Sequence, residues 1–155
     1  MDKHTYAERV GHLQAKLYRI AYLHLGNEAM ALDAVAETIY RGLISVKKLR
    51  EPAYFDTWMT RILINECNKS RRRTNREQPL DDIPESAAAE QAFDSLPLKE
   101  AIRTLPSELR EVIILRYYAD FTLTQTAKSL NIPQGTVVTR QRRALKYLRL
   151  ELLEE

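Results

Sequence analysis

Cysteine occurs once, as Cys67, so no disulfide can close within the chain, and this usage suits a reducing compartment. The thiol is expected to pack as a small apolar residue on a helix. Glycine occurs four times, and none of the four stands in a glycine-rich loop of the kind that cradles phosphate. The three histidines, His4, His12 and His24, fall at spacings that do not converge with Cys67 on a metal. No serine or cysteine has a plausible base beside it, and the carboxylates of Asp81 and Asp82 lie in a loop-like stretch, which disfavours hydrolytic and metal-nuclease chemistry. No apolar run is long enough to cross a membrane, and the N-terminus MDKHTYAERVGHLQ is too polar for a signal peptide. A cytoplasmic, non-enzymatic protein with no cofactor, no metal and no small-molecule substrate is the expectation.

What the chain does contain is long stretches rich in Ala, Leu, Glu, Lys and Arg, the composition of an all-α protein. The net charge of +3 is small but uneven. Lys69 to Arg76 holds five basic residues and no acidic one, the last helix is basic, and Glu77 to Asp94 is acidic. The pattern predicts two small helical domains, residues 1–74 and 96–155, joined by a flexible acidic linker over 75–95. In the first, helices are expected from Tyr6 to Leu25, from Glu28 to about Val46 with a buried stripe of Ala31, Val35, Ile39 and Leu43, and from Phe55 or Asp56 to Arg72. Fully extended, the roughly 14 residues from Thr74 to Ala87 reach about 45 Å, more than one turn of DNA.

The C-terminal third reads as a helix-turn-helix. TLTQTAKSL places Leu123, Ala127 and Leu130 on one side of a short helix, and Asn131-Ile132-Pro133 makes a turn. In the helix that follows, Val137, Gln141, Ala144, Leu145 and Leu148 share an inner side flanked by Arg140. The opposite side presents Val138, Thr139, Arg142, Arg143, Lys146 and Arg149, and no acidic residue occurs between Leu130 and Leu150. Such a face suits phosphates, with arginine able to bond two acceptors of guanine and threonine able to touch a base edge. A solvated basic face is the plainer alternative for the helix alone.

The third helix offers a second surface. Tyr54, Phe55, Trp58, Ile62, Asn65, Lys69 and Arg72 recur at three- and four-residue spacing, with Arg61 and Arg71 to the sides. Aromatic rings followed by an amide and cations suit a single strand, since rings stack on bases and charges follow the backbone. Trp58 with Ile62 also reads as ordinary core, and Asn65 as a partner for a buried carbonyl. A stand-alone helix-turn-helix regulator would dimerise on paired half-sites and leave this helix without a role.

Taken together, LYRIAYLHLGNEAMALDAVAETIYRGL, FDTWMTRILINECNKSRRR and LPSELREVIILRYYADFTLTQTAKSLNIPQGTVVTRQRRALKYLR resemble a bacterial RNA polymerase sigma factor of the extracytoplasmic function group, over nearly the whole chain. The resemblance implies an N-terminal region 2 that binds the polymerase clamp and opens the −10 element. It implies a C-terminal region 4 that reads the −35 element and meets the polymerase flap, with no catalytic residues and with an anti-sigma partner, often membrane-bound. Carried over, Tyr54, Phe55 and Asp56 would wall a flipped −10 base, and Trp58, Arg61, Asn65, Lys69, Arg71 and Arg72 would lead into it. Val138, Thr139, Arg142 and Arg143 would read the −35 element, with Lys146 binding DNA beside them and Gln134 and Thr136 on phosphate, and Asp33, Glu37 and Arg41 would meet the clamp. Two positions depart from the family pattern: Ala36 replaces a usual glutamine, and Gln125-Thr126-Ala127 replaces glutamate-isoleucine-alanine.

Overall fold

Helix ends in this chain are set by local hydrogen-bonding residues. In the computed structural model, which describes residues 1–77 and 96–153, the first helix, α1 (Lys3–Leu25), begins before Tyr6 because the Asp2 carboxylate accepts the Thr5 N–H at 2.7 Å. That bond holds the Asp2 carboxyl below its usual range. Gly26 ends α1 in the left-handed conformation, φ +66°, with its N–H on the Tyr22 carbonyl. Asn27 then caps α2 (Glu28–Ser45) by accepting the Met30 N–H at 2.9 Å. Short 3-10 turns at Val46–Lys48 and Pro52–Tyr54 lead into α3 (Phe55–Glu77). This helix passes the expected end at Arg72, so residues 75–77, expected in the linker, are helical. The rest of that linker lies outside the described residues.

Beyond it come α4 (Leu96–Thr104), α5 (Ser107–Ile113), a π-helical turn (Ile114–Tyr118), α6 (Leu123–Leu130) and α7 (Gln134–Leu153). All the described elements are helical, as expected for an all-α fold.

In the first half α1, α2 and α3 pack around Leu13, Leu17, Ile20, Val35, Phe55, Met59 and Leu63. The buried side of α2 differs from the expected stripe in one position. Gly42 is inside, where an added Cβ would lie 2.7 Å from the Met59 sulfur and also strike the Tyr6 hydroxyl, and Leu43 is turned outward. One residue along a helix is a rotation of about 100°, so close approach at glycine displaces its neighbour from the core.

The two halves do not stand apart. Ala101, Ile102, Leu105, Leu109 and Ile114 join the same continuous core as α1 and α3. Polar contacts line the seam: Asn68 Nδ2 donates to Glu111 Oε1 at 2.7 Å, and Ser129 Oγ donates to the Thr57 carbonyl at 3.2 Å. The Lys16 ammonium lies 5.3 Å from the Phe121 ring and the Arg103 guanidinium 5.7 Å from the Tyr22 ring.

His24 sits in this seam, 1% exposed, with neither ring nitrogen hydrogen-bonded. Burial, then the charges of Arg110 and Arg71, push its pKa down from 6.5 to about 3. A depressed histidine contributes stability that is complete above 6.5 and is lost as pH falls toward 3, because the opened chain takes up the proton first. Each pH unit in that window costs about 1.4 kcal/mol. Glu111, whose carboxyl burial raises, acts in the opposite sense, favouring the closed form at pH values where it is protonated. The expected result is a urea midpoint that falls between pH 7 and pH 5 in the native chain and is flatter in His24→Leu. An equally steep fall in the variant would remove His24 as the cause.

Candidate nucleic-acid interface

The helix-turn-helix is assembled from α6, a turn and α7. Thr122 caps α6 in a reciprocal box: its hydroxyl accepts the Gln125 N–H at 3.1 Å, and Gln125 Oε1 accepts the Thr122 N–H at 2.9 Å. Gln125 thus supplies the carbonyl oxygen that a glutamate would bring to this position. Thr126, buried, donates to the Thr122 carbonyl at 2.9 Å. Asn131 closes α6 in the left-handed conformation, φ 58°, which asparagine tolerates better than most residues. Pro133 precedes α7 and accepts the N–H groups of Thr136 and Val137 through its carbonyl.

On α7 the inner side holds Val137, Ala144 and Leu148, all buried, with Gln141 and Arg140 at its edge. Arg140 reaches Glu108 at 3.8 Å. Leu145, expected inside, is 42% exposed, because the helices below cover only the line through residues 137, 144 and 148. Outward lie Val138, Thr139, Arg142, Arg143 and Lys146, one contiguous cationic face. The Thr139 hydroxyl donates back to the Gly135 carbonyl at 3.0 Å, and the residue is exposed. Gln134 is exposed and its amide donates to the Thr124 hydroxyl at 2.9 Å, linking the starts of the two helices; Thr136 is half-buried beside it.

The α3 surface separates into an outer line and an inner one. Asp56, Arg61, Asn65, Lys69 and Arg72 are exposed, and the last four follow each other at helical spacing. Lys69 also pairs with Glu66 at 3.2 Å. Tyr54, 48% exposed, precedes this line, and the Lys128 ammonium of α6 lies 4.0 Å from its ring centre. Trp58 is half-buried and packs against the core, the plainer of the two roles its spacing allows.

Two expected contacts are not on this surface. Phe55 is 0% exposed, edge-on to Tyr6 with centroids 5.8 Å apart and with the Arg9 guanidinium 4.7 Å from its ring. It anchors the turn rather than walling a pocket, because the first residue of α3 points into the bundle when Tyr54 points out. Arg71 is likewise turned inward and donates to the His24 carbonyl at 2.8 Å. It ties the end of α1 to α3.

On α2, Asp33 and Arg41 are exposed and Glu37 half-buried. Arg41 Nε lies 3.0 Å from Glu37 and 3.2 Å from Glu66, so the three form a network across α2 and α3. Around them the structure exposes Leu32, Tyr40, Leu43 and Ile44, the last at 63%. Sequence reasoning missed this apolar stripe; its signal was the presence of Leu32, Tyr40 and Ile44 off the buried line of α2.

Cys67 is fully buried and its thiol is pushed up to about 12 by burial, then by Glu111 and Glu66, the environment of an unreactive packing residue. Among the described residues there is no group of three or more His, Cys, Asp or Glu placed to hold a metal, and no helix long and apolar enough to cross a membrane.

Residues 10–77 match the model of sigma-70 region 2 and residues 101–150 that of sigma-70 region 4. The RNA polymerase sigma factor SigV of Bacillus subtilis is 33% identical over 141 residues, spanning 89% of this chain and 85% of that protein. The ECF RNA polymerase sigma factor SigW of the same organism is 29% identical, spanning 97% of this chain and 90% of that protein. Among solved structures, the sigma factor RpoE in complex with the anti-sigma factor NepR from Bartonella quintana superposes with a TM-score of 0.82 over 96% of each chain at 21% identity. The chain belongs to the extracytoplasmic function group of the sigma-70 family. It is an alternative sigma factor that directs promoter-specific transcription initiation.

Proposed function

We propose that α7 reads the −35 element in the major groove and that the outer line of α3, with Tyr54, holds the melted −10 strand. The observation that carries this is the sorting of α7: Val137, Ala144 and Leu148 are buried while Val138, Thr139, Arg142, Arg143 and Lys146 form one outward cationic face. Gln134 and Thr136, at the start of α7, meet phosphate. Tyr54 and Asp56 flank the base taken from the duplex, and Arg61, Asn65, Lys69 and Arg72 follow its strand. Because Lys128 covers the Tyr54 ring and Ser129 bonds Thr57, that loop takes a base only after α6 has moved off it.

The exposed stripe of α2, with Asp33, Glu37 and Arg41 beside it, docks the clamp of core RNA polymerase, and the second half meets the flap. An exposed apolar stripe rimmed by charge has the composition of a protein-binding surface. The chain carries no catalytic residues of its own and works in the cytoplasm, where the polymerase supplies the chemistry. An anti-sigma factor is its regulator; the sigma factor RpoE of the solved complex is bound to the anti-sigma factor NepR.

The clamp assignment is tested by Ile44→Glu, which puts a charge on the most exposed residue of the stripe. Co-elution with core polymerase in gel filtration is expected for the native chain and at least tenfold weaker for the variant, on the order of 1.4 kcal/mol, with unchanged thermal unfolding. A variant that joins core as well as the native chain would place the clamp contact elsewhere. A stable dimer that ignores core polymerase would instead favour a stand-alone regulator.

A further inference from the structure

The start of α7 packs on its neighbours through a small apolar cluster, while Ala144 and Leu148 further along join the main core. Val112, Ala127 and Val137 are the buried members of that cluster, with Leu123, Leu130 and Ile132 around them. Small apolar contacts define rotation less sharply than directional bonds do, because dispersion and the hydrophobic effect have little directional preference. Yet sequence reading demands that Arg142 and Arg143 face base edges within a narrow angle.

A polar device at the other end of the motif supplies the missing direction. After α5 the backbone widens into the π-helical turn Ile114–Tyr118, closed by the Ala119 N–H on the Ile114 carbonyl at 3.0 Å. Such turns occur often at functional sites. Here the wider turn carries the half-buried Arg116 toward α7. Its Nε donates to Gln141 Oε1 at 2.9 Å and its Nη1 to the Phe121 carbonyl at 2.7 Å. The Gln141 amide in turn donates to the Tyr117 hydroxyl at 3.3 Å. Phe121 immediately precedes Thr122, the cap of α6, and Gln141 immediately precedes Arg142. One guanidinium therefore holds the entry to α6 and the middle of α7 at once. Its donors lie in a rigid plane, so the two acceptors are fixed relative to each other, which a single-point cation cannot do.

We propose that Arg116 is a positioning residue that sets the rotation of α7 and so determines how well the −35 sequence is discriminated. It touches no base itself. The inference rests on the reading of α7 as the −35 helix. It deepens that reading by assigning the angle of the helix to a residue outside it.

The test uses the full-length chain and a duplex enriched by the native chain from a random library, with a scrambled duplex as reference, read by fluorescence anisotropy. Arg116→Lys and Gln141→Leu are each expected to lower the ratio of enriched to scrambled affinity about tenfold, with scrambled binding unchanged within about twofold. Gln141→Glu keeps an acceptor for Arg116 and retains the ratio, although its added charge lowers both affinities. The double variant Arg116→Lys with Gln141→Leu loses no more than either single one. Thermal unfolding at the native midpoint shows that the variants remain folded. A folded Arg116→Lys chain with the native ratio overturns the proposal while leaving α7 as the reader. A native chain that enriches no sequence overturns the reading of α7, and the proposal with it.

Discussion

Replacing Arg142 and Arg143 together by alanine is expected to cost roughly 2–6 kcal/mol in binding to the −35 duplex, at about 1–3 kcal/mol for each base no longer read. Both side chains are exposed on α7, so the folded state keeps its packing and the unfolding midpoint stays in place. Binding to scrambled DNA falls far less, because phosphate attraction from Lys146 and the helix N-terminus persists. The comparison separates base reading from charge: an equal fall on both duplexes would show that the two arginines meet only phosphate. A parallel measurement over a range of salt concentrations checks the same point, since removing a phosphate partner flattens the salt dependence and removing a base partner does not.

The second large effect is a contrast between neighbours. Phe55→Ala empties a site that is 0% exposed among Tyr6, Trp58 and Arg9, and about 3–5 kcal/mol of folding stability is expected to go with it. Tyr54→Ala removes an exposed ring and is expected to change stability by less than about 0.5 kcal/mol. Its cost appears in binding of a single-stranded −10 oligonucleotide by the holoenzyme, about 1–3 kcal/mol for one missing stack. Chemical unfolding and oligonucleotide titration, run on both variants, check the pair. If Phe55→Ala left stability intact, or Tyr54→Ala left strand binding intact, the division of labour between these rings would be wrong.

This pair also shows where sequence patterning reaches its limit. The outward face of α7 was legible because its inner positions carry no charge and its outer ones carry no acid, so period and polarity agree. On α3 the spacing of Asn65, Lys69 and Arg72 was legible, whereas Arg61, expected to their side, stands in line with them in the structure. Phe55 and Arg71 were not, since each differs from an exposed neighbour by one residue and the pattern alone does not fix the helix phase at its ends. Leu43 was expected inside for want of one fact, that Gly42 permits a close approach of Tyr6 and Met59. The Arg116–Gln141 bond spans 25 residues and depends on a π-helical turn, for which no local propensity gives a signal. The seam between the halves is likewise a matter of tertiary placement, built from His24, Asn68, Arg103 and Glu111, polar residues with no local sequence signal for burial.

The residue roles converge on one claim, that this chain selects promoters by a paired grip: α7 on duplex and the α3 surface on melted strand. Its most direct test is transcription by core polymerase reconstituted with the purified chain on DNA of its own genome, with transcript 5′ ends sequenced. The expected result is a small set of start sites sharing an upstream pair of elements, abolished when Arg142 and Arg143 are replaced together. Transcript ends no different from those of core polymerase alone would contradict it.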